Sequence, residues 1–146
     1  MLTRLIYTST LIDGSTVGDL NDIMDVSRKN NPQMGISGIL CYSTRNYLQW
    51  LEGPREEVSK IYNRVASDKR HTNCTIIEFS EVQKREFGSW AMAFISSQGI
   101  DQDIWKRYMP TLEFNPYNLT EKNASSFLIE AAQSQKHTLG TLQKEN

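Results

Sequence analysis

In the stretch "NYLQWLEGPREEV", residues 46–58, a single primary amide, Gln49, stands between Leu48 and Trp50 in a run with the aromatic and branched content of a strand. A buried carboxamide without partners costs about 1–3 kcal/mol, so a polar residue at this position implies polar neighbours. Tyr7, in "LTRLIYTS" (2–9), is the first candidate. If its strand lies beside that of Gln49, phenol and amide share one sheet face, because side chains alternate with period two. Ser27, on the last turn of a helical run, and Asn31, just past it, add a hydroxyl and a second amide. Asn31 also has a plainer reading as a turn residue ahead of Pro32. None of these groups carries a formal charge near neutrality, the reference pKa of tyrosine being about 10. Neutral donors and acceptors meeting between helices suit the hydrogen bonding of a planar polar heterocycle.

Other chemistries find less support. His71-x-x-Cys74 is the one metal-like spacing, and two ligands do not make a site. No Walker loop, GxGxxG or GxSxG occurs, and Glu56, Glu57, Glu78, Glu81 and Glu86 are scattered as solvated faces are. A small hydrolase of the acylphosphatase kind would need a phosphate-cradling loop with an arginine; the nearest candidate, "STLIDGST", holds no basic residue. The expectation is a protein that is not an enzyme.

The elements that must position Tyr7 and Gln49 are legible from periodicity. Leu5, Tyr7 and Ser9 face one way along the first strand, and Arg4, Ile6 and Thr8 the other. After a turn at "DGS", Val17, Leu20, Ile23, Met24 and Ser27 recur at helical spacing over residues 16–29, and Pro32 predicts that this helix has ended before it. "GILCYST" (38–44) and "NYLQWLEG" (46–53) read as a hairpin turned near Thr44, Arg45 and Asn46. Pro54 opens a helix to about Ser67, striped by Val58, Ile61, Tyr62 and Val65. "CTIIEFSEV" (74–82) and "WAMAFIS" (90–96) read as the last two strands.

The order βαββαββ predicts an α+β, ferredoxin-like mixed sheet with both helices on one face. Two short C-terminal helices are expected to cover the other: "DIWKRYM" (103–109), and one carrying Ala124, Phe127, Leu128 and Ala131, with Asn118 and Glu121 spaced like a capping box. Residues 1–97 then form one domain and 98–146 a helical extension whose polar tail, 136–146, frays.

The chain's 146 residues suffice for one sizeable core, and a net charge of -1 offers no field for nucleic acid. "MLTRLIYTST" is too short and polar for a signal peptide, and no apolar run approaches the roughly 18 residues of a membrane span. Cys41 and Cys74, in separate strands, fit reduced thiols of a cytoplasmic protein.

The pieces "RLIYTST", "NNPQMGISGILCYS", "YLQWLEGPREEV", "SDKRHTNC" and "FGSWAMAF", in that order and spacing, resemble the BLUF domain, a flavin-binding blue-light sensor. The resemblance spans about residues 2–96, and the last two helices resemble the cap of small stand-alone members. It implies FAD, with FMN as the alternative, in the cleft above the sheet. Tyr7 matches the family's light-dependent electron donor, and Gln49 the glutamine bridging it to the flavin's N5/C4=O edge. Asn31 matches the residue holding the flavin's carbonyl and N3–H edge, with Asn30 beside it. Met92 matches the methionine of the last strand, and Trp90 the nearby tryptophan, whose inward or outward placement the family leaves open; both also read as core packing. Arg64 and Asp68 match polar positions near the ribityl chain and phosphate, and Ser27 and Ile23 would touch the ring. Light-driven electron and proton transfer from Tyr7 would leave a rearranged bond network around Gln49, by rotation or tautomerisation of its amide. With no output domain attached, the signal would pass to a partner protein in trans, and a homo-oligomer is expected. The competing reading is a flavin protein that does not switch.

Overall fold

The computed structural model describes residues 1–12, 17–111 and 113–135. Five strands form one sheet: β1 (Leu2–Leu11), β2 (Ser37–Tyr42), β3 (Asn46–Pro54), β4 (His71–Glu81) and β5 (Ala93–Ser96). Four helices accompany them: α1 (Val17–Met34), α2 (Arg55–Ala66), α3 (Gln102–Tyr108) and α4 (Glu121–Ser134). The strand order is β4-β1-β3-β2-β5, antiparallel throughout except for the parallel pair β2–β5. This is the α+β, ferredoxin-like sheet that the element order implies. β1 and β3 are central neighbours, and their register sets Tyr7 directly opposite Gln49.

Alternation divides the buried side chains between two faces. Leu5, Tyr7, Leu40 and Leu51 pack with Leu20 and Ile23 of α1 and Val58, Ile61, Tyr62 and Val65 of α2. Ile6, Ile39, Leu48, Trp50 and Ile95 pack on the opposite face with Ile104 and Met109 and with Ala124, Phe127 and Leu128 of α4. Trp50 is fully buried there, its ring under the Arg4 guanidinium at 4.3 Å. Aromatic and aliphatic side chains of this size contribute about 1.5–3 kcal/mol each on full burial, so the C-terminal helices are a structural half of the core.

Several boundaries differ from the sequence reading. α1 does not stop before Pro32 but carries it inside and ends at Met34, so Asn31 lies on the helix and Ser27 lies near its middle. The stop is set by Gly35, which adopts φ +70° while its N–H donates to Pro32 O (3.3 Å) and the Ile36 N–H to Asn31 O (2.9 Å). That is the left-handed glycine termination that satisfies a helix's last carbonyls, and it outweighs the proline's lost donor near the end. β4 begins at His71, three residues before Cys74, and β5 begins only at Ala93, leaving Trp90 and Met92 in the segment that precedes it. α4 is capped by Thr120, whose hydroxyl accepts from Asn123 N–H, whereas Asn118 belongs to a short 3-10 turn. The turn expected at Asp13, Gly14 and Ser15, the side chain of Val17 and the tail 136–146 lie outside the described residues.

Candidate functional site

β1 and β3 point Tyr7 and Gln49 into a cleft of about 160 Å³ between α1 and α2. The phenol of Tyr7 donates to Gln49 Oε1. Gln49 Nε2 in turn donates to the sulfur of Met92 at 3.5 Å, and Asn31 Nδ2 donates to the backbone oxygen of Ala91 at 3.0 Å. Gln49 and Asn31 therefore both lean on the segment that leads into β5. Tyr62 of α2 closes edge-on against the Tyr7 ring, 5.4 Å between centroids.

Of the residues singled out by sequence, Tyr7, Ile23, Ser27, Asn30, Asn31 and Gln49 all line this cleft, and Arg64 and Asp68 line it from α2 and its C-terminal end. Trp90 does not. Its ring stacks on Phe87 at 6.0 Å, turned toward the face that holds Trp50, while Met92 points at Gln49. Trp90 and Met92 border a second, wider groove of about 830 Å³ that runs beside β5. Tyr47, Arg70 and His71 also line the cleft and escaped the sequence reading. Tyr47 could have been found, since it precedes Gln49 by two and shares its sheet face. Arg70 and His71 were hidden by the earlier start of β4.

Burial pushes the Tyr7 phenol well above its usual pKa, which keeps it a protonated donor. Burial also raises Tyr47 and lowers His71, whose Nδ1 lies 2.9 Å from Ser9 Oγ. At the mouth, hydrogen bonds from Arg70 hold the Asp68 carboxyl down at about 2. Burial pushes the Cys41 thiol up to about 12.

The site is a slot with apolar walls from Ile23, Leu40, Ile61 and Val65, neutral amides and a phenol along its floor, and charged groups only at one end. A carboxamide nitrogen offers two N–H donors, and the recorded partner of Gln49 Nε2 is a thioether, a weak acceptor. This donor set fits the edge of a flat heteroaromatic ring bearing carbonyl and ring-nitrogen acceptors. Arg64 and Arg70 fit a phosphate-bearing tail at the mouth.

A family model described as "Sensors of blue-light using FAD" matches residues 2–93. The chain is 34% identical over 92 residues to the "Blue light- and temperature-regulated antirepressor BluF" of Escherichia coli (strain K12), a match covering 63% of this chain and 23% of that protein. It is likewise 34% identical over 92 residues to "Photoactivated adenylate cyclase subunit beta" of Euglena gracilis, covering 62% of this chain and 11% of that one. This chain thus spans less than a quarter of either relative. Among solved structures, "BlsA photo-activated state" superposes with a TM-score of 0.80 at 28% identity, covering 90% of this chain and 94% of that one. "BlrB - a BLUF protein, dark state structure" superposes with a TM-score of 0.76 at 26% identity, covering 92% and 96%. With a mixed sheet whose central strands set a tyrosine against a glutamine above a flat slot, and a family model matching from β1 into β5, the chain belongs to the BLUF family of flavin-binding blue-light sensors.

Proposed function

We propose that this protein binds oxidised FAD in the cleft between α1 and α2 and reports blue light to a partner protein through a rearrangement of the Gln49 side chain. The observation that carries this is the continuous chain of bonds from Tyr7 Oη to Gln49 Oε1 and from Gln49 Nε2 to Met92 Sδ. A bound flavin supplies the absorption of blue light and, when excited, a strong electron acceptor. Tyr7 is placed to be the donor, because its phenolic proton already has an acceptor in Gln49 Oε1. FAD is favoured over FMN by the family description, while the arginines at the mouth suit the phosphate of either.

The amide can be bonded in two ways. In the observed arrangement its oxygen accepts from Tyr7 and its nitrogen donates to Met92. Reversed, the nitrogen donates to the phenol oxygen and the carbonyl oxygen faces a sulfur that cannot donate to it. Met92 then loses its partner, and the strain falls on residues 90–92 just before β5. One hydrogen bond is worth about 0.5–1.5 kcal/mol net, enough to shift a two-state equilibrium about tenfold at ~1.4 kcal/mol per decade.

Residues 1–97 are the light-sensing domain in this reading, and 98–146 the extension whose α3 and α4 cover the sheet's second face. The neutral floor of the cleft suits binding rather than catalysis, and in this reading the signal acts on a protein partner in trans. Assembly with further copies of the chain belongs to the same reading, without nucleic acid or membrane. Among the described residues no helix is long and apolar enough to cross a membrane. The free thiols of Cys41 and Cys74 support a cytoplasmic setting. The test is the absorption spectrum of the flavin-loaded chain before and after blue illumination: a reversible red shift supports the reading, and a spectrum unchanged by light refutes it.

A further inference from the structure

Glu52 is 1% exposed, yet its carboxylate lies on β3 only three residues beyond Gln49, on the opposite sheet face. Four neutral donors converge on it. Oε1 accepts from the Trp50 indole N–H (3.0 Å) and the backbone N–H of Glu86 (3.0 Å), and Oε2 from the Ser37 hydroxyl (2.9 Å) and the backbone N–H of Phe87 (2.7 Å). Arg85 fastens the same stretch from the rim, through Nη1 to Ser37 Oγ (2.8 Å) and Glu52 O (3.2 Å) and through Nη2 to Gly35 O (2.6 Å).

From Phe87 a row of contacts runs on to Met92. The Phe87 ring sits edge-on to Trp50 at 4.9 Å and stacks on Trp90. Trp90 N–H donates to Phe87 O (3.0 Å), Gly38 N–H to Trp90 O (3.4 Å), and Asn31 to Ala91 O. Gly38 itself lies tight against β3, where a Cβ would stand 1.9 Å from Trp50 O. The segment 85–92 is thus tied to β3 twice, by Glu52 on one face and by Gln49 on the other.

We propose that Glu52 is a positioning residue, a buried clamp on the 85–92 segment that seats Met92 against Gln49 and turns Trp90 outward. An apolar residue of the same shape would fill the space but leave four buried donors without an acceptor, so the carboxylate is set by the donors it gathers and not by burial alone. The role follows from which donors it gathers: two are consecutive backbone N–H groups of the segment, and charge-assisted bonds to them are the stronger kind. With the clamp intact, a rearrangement of Gln49 moves only the few residues between Phe87 and β5. Reseating Met92 is then a short step along a held segment. This inference rests on the proposed light response, but the clamp itself exists in the dark.

The test uses the flavin-loaded full chain with its methionine methyl groups labelled with ¹³C. Glu52→Gln keeps the shape but sets an NH₂ group against N–H and O–H donors. The Met92 methyl resonance is expected to shift or broaden in the dark, and dark recovery to slow by about tenfold, the scale of one lost charge-assisted bond. Arg85→Met loosens the same segment without touching the carboxylate and shifts both readouts in the same direction; it decides the matter if Glu52→Gln does not fold. Phe127→Leu, in the cap core, lowers the melting temperature but leaves the Met92 resonance unmoved and recovery within about twofold of wild type, a change of only ~0.4 kcal/mol in barrier. An unmoved Met92 resonance with recovery within twofold in the clamp variants, or equal slowing by Phe127→Leu, overturns the clamp. A wild-type chain that shows no light response fails the photoreceptor reading instead, while the dark Met92 resonance still decides the clamp.

Discussion

The carboxamide nitrogen of Gln49 stands 3.5 Å from the sulfur of Met92, while the oxygen of the same amide accepts from Tyr7. One end of the side chain therefore meets a strong donor and the other a weak acceptor, and these unequal partners are what an amide reversal would exchange.

Tyr7→Phe should leave the slot's shape intact, so flavin remains bound and the protein remains yellow. Removing the phenol removes both the electron donor and the proton, and the long-lived red-shifted state should vanish from the light-minus-dark absorption spectrum. A normal photocycle in this variant would refute the donor role.

Gln49→Leu removes both ends of the bridge and should also abolish the red-shifted state. It further strands the Tyr7 hydroxyl, 1% exposed and without its acceptor, so stability should fall by about 1–3 kcal/mol in chemical denaturation. Stability equal to wild type would mean that the phenol finds another partner.

Trp90→Phe acts at a distance from the cleft, on the stack with Phe87. Flavin affinity should stay close to wild type, while dark-recovery rate or output to the partner changes. A photocycle and output both unaltered would reduce Trp90 to packing.

His71 is buried and its pKa is lowered from 6.5, chiefly by that burial. Below pH 6.5 the unfolded chain binds more protons at this residue than the folded one, so stability falls as pH falls from there toward the lower folded value and is full above it. Melting temperatures between about pH 5 and pH 7 should slope upward with pH, and His71→Gln should flatten the slope. Parallel slopes in both proteins would contradict this.

Much of the site's scaffold was legible because alternation in strands is a strict rule. Placing Tyr7 and Gln49 on one face needs only period two and adjacency of β1 and β3, and the same parity sends Trp50 to the other face. The cap helices announced themselves through Ile104, Phe127 and Leu128 at helical spacing. What failed were features set by contacts between distant residues. Pro32 signals an end, but Gly35 three residues on decides where the helix stops. "WAMAFIS" has strand composition throughout, yet residues 90–92 are taken up by Gly38, Asn31 and Gln49 rather than by the sheet ladder. Glu52 stands at the end of the strand read over 46–53, next to Gly53 and Pro54, where a charged side chain is expected to meet solvent. Its burial depends on four donors, two of them from residues more than thirty positions away.

The most direct test of the switch is an infrared difference spectrum, light minus dark, of the flavin-loaded chain with its glutamine side-chain amides labelled with ¹⁵N. Bands that move with the label, and that disappear in Gln49→Leu, are the predicted result. A light-induced spectrum with no label-sensitive band would show that the Gln49 amide keeps its partners, and would contradict the central claim.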